Sequence, residues 1–308
     1  MAVPDLSIAL VTLDGADTLP ALLDAIDEQA VDQRPEIVAV DSGSTDGTID
    51  LLKGRVDHLI EIPQVEFNHG RTRNLAIEQC SGKLVILLVQ DAYPADRYWL
   101  RELTAPFAQD SDLAGTFARQ RPRPEAQRLT RRALGRWITT QDKPRRVVFA
   151  DPAEMSRLSP EDRFLSSVFD NVCSCIRRSV WAQIPFESLP IAEDLAWGKA
   201  VLGAGFALQY VPEAVVLHSH ERSINYEFNR TRLVHHQLGR LFGLRTIPSL
   251  PALLRSFSVT LVDHLECLKN EPGPRPSAGE ILRALGLAFA WPYGQWLGGR
   301  SAERGKRS

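Results

Sequence analysis

A continuous apolar run ends in an acid in the stretch Leu84-Val85-Ile86-Leu87-Leu88-Val89-Gln90-Asp91. Six apolar residues without polar alternation are typical of a strand buried on both faces, as strands of parallel sheets are. Asp91 then follows the carboxyl end of this strand, where open α/β sheets bind their ligands. The stretch therefore indicates an α/β fold and makes Asp91 a candidate ligand-binding acid. An Asp at this place can also cap a turn or a helix.

The chain before this strand has the same organisation. Ser7–Leu13 reads as a first strand, and an amphipathic helix follows over roughly residues 19–29. Glu36–Val40 reads as a second strand that ends at Asp41, and the small and hydroxyl residues of Ser42–Thr48 come next. This order of strand, polar turn and capped helix is typical of a βαβ unit whose turn faces a ligand.

A second acidic site, Glu193-Asp194, lies about a hundred residues after Asp91. Acids at this place would stabilise the start of a helix, and one of them could also act as a base. Farther along, the apolar strand Tyr210–Leu217 is followed by His218 and His220. On an extended chain these two histidines project to the same side.

These motifs resemble those of the family 2 inverting glycosyltransferases with the GT-A fold, over about residues 5 to 230. The resemblance implies an α/β fold with a mixed, mainly parallel sheet flanked by helices and a helical C-terminal extension. It implies a catalytic domain over residues 1–225, with a donor half at about 1–120 and an acceptor half at about 121–225. Residues 226–308 would form the extension.

Three segments look most like the rhamnosyltransferase-type branch of the family. They are Phe67–Asn74, Gln90–Pro94 and Ala118-Arg119-Gln120. The resemblance implies transfer of a sugar, rhamnose by branch, from dTDP-rhamnose or a UDP-sugar to a saccharide or lipid-linked saccharide. A UDP-hexose transferase of the same fold is the alternative.

The resemblance also implies roles for single residues on the donor side. Thr12 and Asp41 would border the pyrimidine base, Arg71 would face the base or the diphosphate, and Asp91 would lie beside the ribose. The donor-binding set is Thr12, Asp41, Ser44, Arg71, Asp91 and Arg119.

A divalent metal, Mn²⁺ or Mg²⁺, is implied by the same family pattern, with Asp91 and His218 as ligands. The usual Asp-x-Asp motif is reduced here, because Ala92 replaces one acid and Tyr93 stands where another often lies. An imidazole ligand would suit Mn²⁺ better than Mg²⁺. His220 could replace His218 as the ligand, orient it, or bind phosphate; it could also be a surface residue.

The catalytic pair implied for an inverting displacement is Glu193-Asp194, with Asp194 as general base. Glu193 would orient a loop or bind acceptor hydroxyls. Trp197 would pack under an acceptor sugar or, since Trp197, Val201 and Ala204 can share a helical face, would belong to the core.

Composition limits the other possibilities. The 308 residues are 44% hydrophobic and 24% charged with a net charge of -2, which argues for a soluble globular chain and against a general nucleic-acid binder. The N-terminus runs into the first strand without a secretory pattern, so we expect a cytoplasmic protein with four reduced cysteines. A sugar nucleotidyltransferase would need a Gly-rich basic loop after the first strand, whereas Leu13–Thr18 has one Gly and no cation. A non-catalytic nucleotide-sugar binding module is a further alternative.

Basic residues are concentrated between the two acidic sites, with ten Lys and Arg against two acids over Arg119–Arg146. They could meet a lipid-linked pyrophosphate or the anionic inner membrane face, or form a solvated helix face. After residue 226 the sequence predicts helices over Tyr226–Phe242, Leu250–Leu268 and Ile281–Leu297. The last has aromatic residues near its end and a basic tail beyond it, formed by Arg300, Arg304, Lys306 and Arg307. It could lie on the membrane surface, dock on the catalytic domain or pair with a second subunit.

Overall fold

The structure, a computed structural model, describes residues 6–272 and 274–304. Residues 1–5, Gly273 and residues 305–308, which include Lys306 and Arg307 of the expected basic tail, lie outside the described residues. The described residues form two compact units. The first contains residues 6–121, 137–157 and 166–218, and the second contains residues 122–136, 158–165 and 219–304.

The first unit is built on a nine-stranded sheet within the described residues. The strands are β1 (Leu6–Thr12), β2 (Glu36–Asp41), β3 (His58–Glu61), β4 (Leu84–Val89), β5 (Tyr93–Pro94), β6 (Leu113–Arg121), β7 (Arg145–Val147), β8 (Cys173–Arg177) and β9 (Ala207–Leu217). Their order across the sheet is β3-β2-β1-β4-β8-β6-β9-β5, with β7 paired to β9. The helices are α1 (Leu19–Asp27), α2 (Thr48–Leu52), α3 (His69–Gln79), α4 (Trp99–Thr104), α5 (Arg128–Gly135), α6 (Pro152–Arg157), α7 (Pro160–Ser166), α8 (Arg178–Trp181), α9 (Glu193–Gly203), α10 (Ile224–Phe242), α11 (Leu250–Asn270) and α12 (Ala278–Arg304).

The sheet is mixed and mainly parallel, as the sequence predicted. Strands β1 to β4 are parallel to one another, β8 is antiparallel to both β4 and β6, and β6 is parallel to β9. Because β8 runs the other way, the carboxyl ends of β4, β6 and β9 and the start of β8 meet at one edge of the sheet. The ends of β1 and β2 reach the same edge.

The central strands are buried on both faces. Ile8, Ile37 and Ile86 are fully enclosed in one cluster with residues from the flanking helices, among them Leu22 and Trp99. This burial explains the unbroken apolar runs of these strands, because a strand covered on both faces has no solvent side on which polar residues alternate. Cys80, Cys173, Cys175 and Cys267 are all buried and free.

The second unit consists of helices. Its core contains Leu129 of α5, Leu268 of α11 and Leu287 of α12. Helix α12 packs against α10 through small residues that recur every fourth position: Gly286, Ala290, Gly294, Gly298 and Ala302. A Cβ at Gly298 would meet the Arg232 carbonyl oxygen of α10 at 2.3 Å, so a glycine allows the close approach of the two helices.

Four arginines of the basic segment are paired with acids inside this second unit. Arg132 and Arg136 both bind Asp263, at 2.5 and 2.6 Å. The other two pairs join Arg128 to Glu280 and Arg131 to Glu271, at 3.5 and 3.7 Å. These ion pairs link α5 to the helices that follow it in the second unit, with the Arg128 side chain 6% exposed and the Arg136 side chain 58% exposed, so the segment is buried in part and solvated in part.

The final helix differs from the prediction in its length. The sequence predicted residues 281–297, whereas α12 spans Ala278–Arg304 and contains Pro292. Packing of α12 against α10 outweighs the backbone hydrogen bond that a proline removes. Among the described residues, no helix is both long enough and apolar enough to cross a bilayer.

Candidate active site at the carboxyl edge of the sheet

The first cluster at this edge joins the ends of β1 and β2. Asp41 is fully buried, and its Oδ1 accepts the backbone N–H groups of Gly43 and Ser44 at 3.0 and 2.8 Å. Its Oδ2 accepts the hydroxyls of Thr12 and Ser44 at 2.8 and 2.5 Å. The structure thus brings Thr12, Asp41 and Ser44 together, and the Asp41 carboxylate holds the polar turn in one conformation.

The loop after β1 is fixed from two sides. The Gln90 amide accepts the N–H of Leu13 at 2.9 Å and donates to its carbonyl oxygen at 2.8 Å. On the other side, the backbone N–H of Asp14, a residue with a positive φ of 45°, donates to the Ser44 hydroxyl at 2.8 Å. These bonds tie the ends of β1, β2 and β4 into one rigid wall.

A possible metal site lies at the ends of β4 and β9. The carboxylate Oδ1 of Asp91 is 3.7 Å from Nε2 of His218, which is 9% exposed. His220 follows two residues later, and one ligand atom each from Asp91, His218 and His220 lie within 4.8 Å of one another. The histidine alternatives left open by the sequence thus converge on the same place.

The donor set fits a divalent ion. Ligand bonds of about 2.1 Å in octahedral geometry place neighbouring ligand atoms about 3 Å apart and opposite ones about 4.2 Å apart. The 3.7 Å between Asp91 Oδ1 and His218 Nε2 is shorter than about 4.2 Å, so one ion can bond both atoms after a small shift of either side chain. A carboxylate combined with imidazole suits Mn²⁺ well.

His218 is held by the neighbouring strand β6. The backbone N–H of His218 donates to the Arg121 carbonyl oxygen at 2.9 Å. Nδ1 of its ring lies 2.9 Å from Oε1 of Gln120. The Gln120 amide nitrogen in turn donates to Oδ2 of Asp170, in the segment that leads into β8. Asp170 was not among the residues singled out from the sequence.

The second acidic site begins helix α9, as the sequence predicted for a helix start. Oδ1 of Asp194 accepts the N–H of Leu195 at 2.7 Å. Burial raises the pKa of the Asp194 carboxyl well above its usual value, and the charges of Glu193 and Asp170 raise this pKa further. Asp194 is therefore a stronger base than an ordinary aspartate.

Glu193 is neutralised by a residue of helix α3. It is 4% exposed, and its carboxylate accepts from Arg73 at 2.8 Å and from the Asn171 amide at 3.3 Å. The Asn171 amide oxygen accepts from Ser174, at 3.0 Å, so both ends of that side chain are engaged. Arg73 and Asn171 were also not among the predicted site residues.

Comparison with known proteins addresses the identity of the chain. The family described as "Glycosyl transferase family 2" matches residues 7–179, which is more than half of the 308 residues. The chain belongs to glycosyl transferase family 2. It is therefore a glycosyltransferase, and the family that the sequence motifs indicated is confirmed.

This family 2 glycosyltransferase is similar to two curated relatives. It is 29% identical over 229 residues to the O-antigen chain rhamnosyltransferase RfbN of Salmonella typhimurium, an alignment that covers 73% of this chain and 69% of the relative. It is also 29% identical over 206 residues to the O-antigen chain rhamnosyltransferase WbaN of Salmonella anatum, with coverage of 66% and 62%. Both relatives are rhamnosyltransferases, which agrees with the branch that the sequence motifs resemble.

Solved structures show that the glycosyltransferase has the GT-A fold. A mannosyltransferase from Pyrobaculum calidifontis in complex with GDP-Man and Mn²⁺ matches with a TM-score of 0.57 at 16% identity, over 99% of this chain and 75% of that one. Glucosyl-3-phosphoglycerate synthase from Mycobacterium tuberculosis, in complex with Mn²⁺, UDP-glucose and phosphoglyceric acid, matches with a TM-score of 0.53 at 18% identity, over 80% and 81%.

Two donor-side residues expected in the site of this glycosyltransferase, Arg71 and Arg119, lie apart from these clusters. Arg71 is exposed, and its guanidinium contacts the Glu66 carbonyl oxygen. Arg119 donates from Nε to the Thr140 carbonyl oxygen at 3.0 Å. Because side chains alternate along a strand, it points away from the face on which Gln120 meets His218.

Trp197 lies in the core of the first unit. It is 1% exposed, its indole N–H donates to the Ile184 carbonyl oxygen at 2.8 Å, and its ring packs against Phe169 and Phe186. A ring enclosed in this way has no free face for an acceptor sugar. The core alternative thus describes Trp197, and the acceptor-binding role is dropped.

Proposed function

We propose that this glycosyltransferase moves rhamnose from a nucleoside diphosphate donor, dTDP-rhamnose, to a saccharide or lipid-linked saccharide acceptor, with inversion at the anomeric carbon. The proposal is supported by Asp194, whose pKa burial raises and whose neighbour Glu193 bonds Asn171 just before β8, since Asp91 and His218 follow β4 and β9 on the edge where β8 begins. The sugar is supported by the similarity to two O-antigen chain rhamnosyltransferases. A UDP-hexose donor is the competing assignment.

Asp194 is proposed as the general base. Its carboxylate takes the proton of the acceptor hydroxyl while the acceptor oxygen bonds to the anomeric carbon. The bond between that carbon and the diphosphate oxygen breaks, and its electron pair leaves with the diphosphate. A base with a raised pKa is suited to this transfer at neutral pH, and Arg73 keeps the neighbouring Glu193 occupied so that one carboxylate is left for the proton.

The donor would lie along the edge from β2 to β9. Thr12, Asp41 and Ser44 would border the base, and Asp91 and His218 would hold Mn²⁺ or Mg²⁺ at the diphosphate. When bound, this cation neutralises charge that develops on the leaving oxygens. His220 is the third candidate ligand.

We also propose that the enzyme binds the anionic inner face of the cell membrane, where a lipid-linked acceptor would lie. Helices α11 and α12 expose large apolar side chains, with Leu254 at 58%, Leu282 at 67% and Phe289 at 55%. Over residues 219–272 and 274–303, seven cationic side chains are exposed against two acids. Apolar side chains combined with a cationic surround are typical of proteins that lie on anionic lipid.

A donor-hydrolysis screen tests the function. The purified chain is incubated with Mn²⁺ or Mg²⁺ and a panel of thymidine and uridine diphosphate sugars, and the released nucleoside diphosphate is measured. We expect selective release from dTDP-rhamnose and a loss of about 10²- to 10⁴-fold in Asp194→Asn, with nucleotide binding retained. Preference for a UDP-hexose would replace the rhamnose assignment, and full activity of Asp194→Asn would overturn the assignment of the base.

Asp112→Asn serves as the matched control for that screen. Asp112 is an exposed acid before β6, outside the clusters at the sheet edge. The same change of Asp to Asn should leave its turnover at the wild-type level. A loss in this variant equal to that of Asp194→Asn would assign the effect to protein quality rather than to the base.

A further inference from the structure

We propose that Gln120 and Asp170 are positioning residues that fix the His218 imidazole with its proton on Nδ1, so that Nε2 presents a lone pair towards Asp91. The proposal rests on the proposed function, since it concerns how His218 would serve the donor cation. It assigns a purpose to a row of side chains at the sheet edge, in which hydrogen bonds join His218 to Gln120 and Gln120 to Asp170, and Asp91 lies 3.7 Å from His218.

The orientation of the Gln120 amide follows from its neighbours. Asp170 offers carboxylate oxygens, and its Oδ1 already accepts the N–H of Val172 at 3.0 Å. An ionised carboxylate only accepts hydrogen bonds, so the Gln120 amide must turn its NH₂ group to Oδ2 of Asp170. The second N–H of that group points to the fully buried hydroxyl of Thr139, at 3.5 Å.

The state of His218 follows from the orientation of Gln120. With its NH₂ engaged, Gln120 presents Oε1 to the ring, 2.9 Å from Nδ1 of His218. A carbonyl oxygen accepts, and therefore Nδ1 must carry the proton. In the neutral ring the other nitrogen, Nε2, then has a lone pair, and it is the atom that lies 3.7 Å from the Asp91 carboxylate.

Burial makes this arrangement hard to replace with water. Gln120 is 5% exposed and Thr139 is fully buried. The backbones of the two partners are also locked, because β6 and β9 pair in parallel and the His218 N–H bonds Arg121. Ligating histidines commonly depend on such an outer partner, and loss of one typically weakens metal affinity by about 10- to 100-fold.

The first test reads the ring directly in the full chain without metal. Long-range ¹⁵N–¹H NMR spectra distinguish the two neutral tautomers, and comparison with His218→Gln assigns the signal among the seven histidines. We expect the Nδ1–H form in the wild type. The Nε2–H form would overturn the proposal, because it would require the Gln120 amide to be reversed.

The second test measures binding of Mn²⁺ alone by EPR titration. Gln120→Leu should weaken the affinity about 10- to 100-fold and release the tautomer preference. Gln29→Leu is the control, because Gln29 is a buried glutamine of the same unit whose hydrogen bonds are to the backbone of Ala25, Asp96 and Leu100, outside the row. Wild-type affinity in Gln120→Leu would also overturn the proposal.

These readouts separate the inference from the proposed function, since neither test uses a donor sugar or turnover. An Nδ1–H ring with Mn²⁺ binding dependent on Gln120 would support the positioning role even if the donor screen identified another sugar. If Gln120→Leu does not fold, the wild-type tautomer alone decides.

Discussion

At the scale of single residues, Asp194 is a side chain whose ionisation opposes folding. Burial, together with the charges of Glu193 and Asp170, raises the pKa of its carboxyl well above the usual value. The folded protein therefore binds this proton more tightly than the unfolded chain, in which the pKa is about 3.9. The stability that this bound proton contributes is fully present below the unfolded pKa. It is lost as the pH rises through the folded pKa.

The first prediction follows from this linkage. Asp194→Asn cannot ionise, so it should unfold at a higher temperature than the wild type at pH 8, and the difference should narrow as the pH falls to about 4. Thermal unfolding followed by circular dichroism at both pH values measures this. Asp112→Asn should show no such pH-dependent gain, and a constant difference for Asp194→Asn would contradict the raised pKa.

Sequence reasoning found the residues that follow strands and missed those that precede one. Asp41, Asp91 and His218 come directly after apolar runs, so their place at the sheet edge could be predicted. Asp170 lies before β8, whose antiparallel direction is not encoded in local periodicity. The pairing of β8 between β4 and β6 is a long-range property, and without it nothing placed Asp170 beside Gln120.

At the scale of elements, the contact between α3 and α9 is made through a buried ion pair. Arg73 and Glu193 are 2.8 Å apart, with side chains 10% and 6% exposed. Removing one member leaves a buried charge with insufficient compensation. The pair thus joins α9, which carries Asp194, to α3. Helix α3 is capped by Asn68, whose side-chain oxygen accepts the backbone N–H of Arg71.

We therefore predict that Arg73→Ala lowers the free energy of unfolding by about 3–5 kcal/mol, measured by urea denaturation. Arg71→Ala, two residues away on the same helix and exposed, should change it by less than about 0.5 kcal/mol. Adding Glu193→Gln to Arg73→Ala should restore part of the loss. A loss in Arg73→Ala no larger than in Arg71→Ala would show that the pair is not important for stability.

Two adjacent glycines of α12 provide a matched test of the packing against α10. A Cβ at Gly298 would meet the backbone oxygen of Arg232 at 2.3 Å, whereas a Cβ at Gly299 would have Arg245 Cγ as its nearest neighbour, at 3.7 Å. Gly298→Ala should destabilise the protein by about 1–3 kcal/mol through overpacking. Gly299→Ala should be neutral or stabilise it by up to about 1 kcal/mol, since alanine favours the helix. Equal effects in denaturation experiments would rule out close packing at Gly298.

The elements with long apolar periodicity were predicted well, and their ends were not. The sequence placed α10 at residues 226–242 and α11 at 250–268, close to the observed Ile224–Phe242 and Leu250–Asn270. Helix α12 was predicted too short at both ends, because the apolar run Ile281–Leu297 set the predicted bounds, whereas the helix spans Ala278–Arg304. A stripe of small residues on one face allows tertiary packing that no local rule anticipates.

At the scale of the whole molecule, the chain alternates between its two units. The sequence suggested one boundary at residue 225, whereas residues 122–136 and 158–165 belong with the C-terminal helices. The basic segment was the sequence feature that marked residues 122–136. In the folded protein its arginines pair with acids more than a hundred residues away, as Arg132 does with Asp263. Such partners cannot be read from a single sequence, because every acid is an equally good candidate before folding.

The last prediction concerns the exposed apolar side chains of α11 and α12. If they contact anionic lipid, the full chain should co-sediment with vesicles containing phosphatidylglycerol and much less with phosphatidylcholine alone. Changing one exposed leucine that inserts into lipid to glutamine should weaken partitioning about tenfold, which corresponds to about 1.4 kcal/mol. Leu254→Gln with Leu282→Gln should thus reduce vesicle binding about a hundredfold, while Val65→Gln, at a 91% exposed position in the first unit, should leave it unchanged. Failure of the wild type to bind either vesicle, together with a dimer by sedimentation that Leu254→Gln and Leu282→Gln dissociate, would assign this surface to a second copy of the chain.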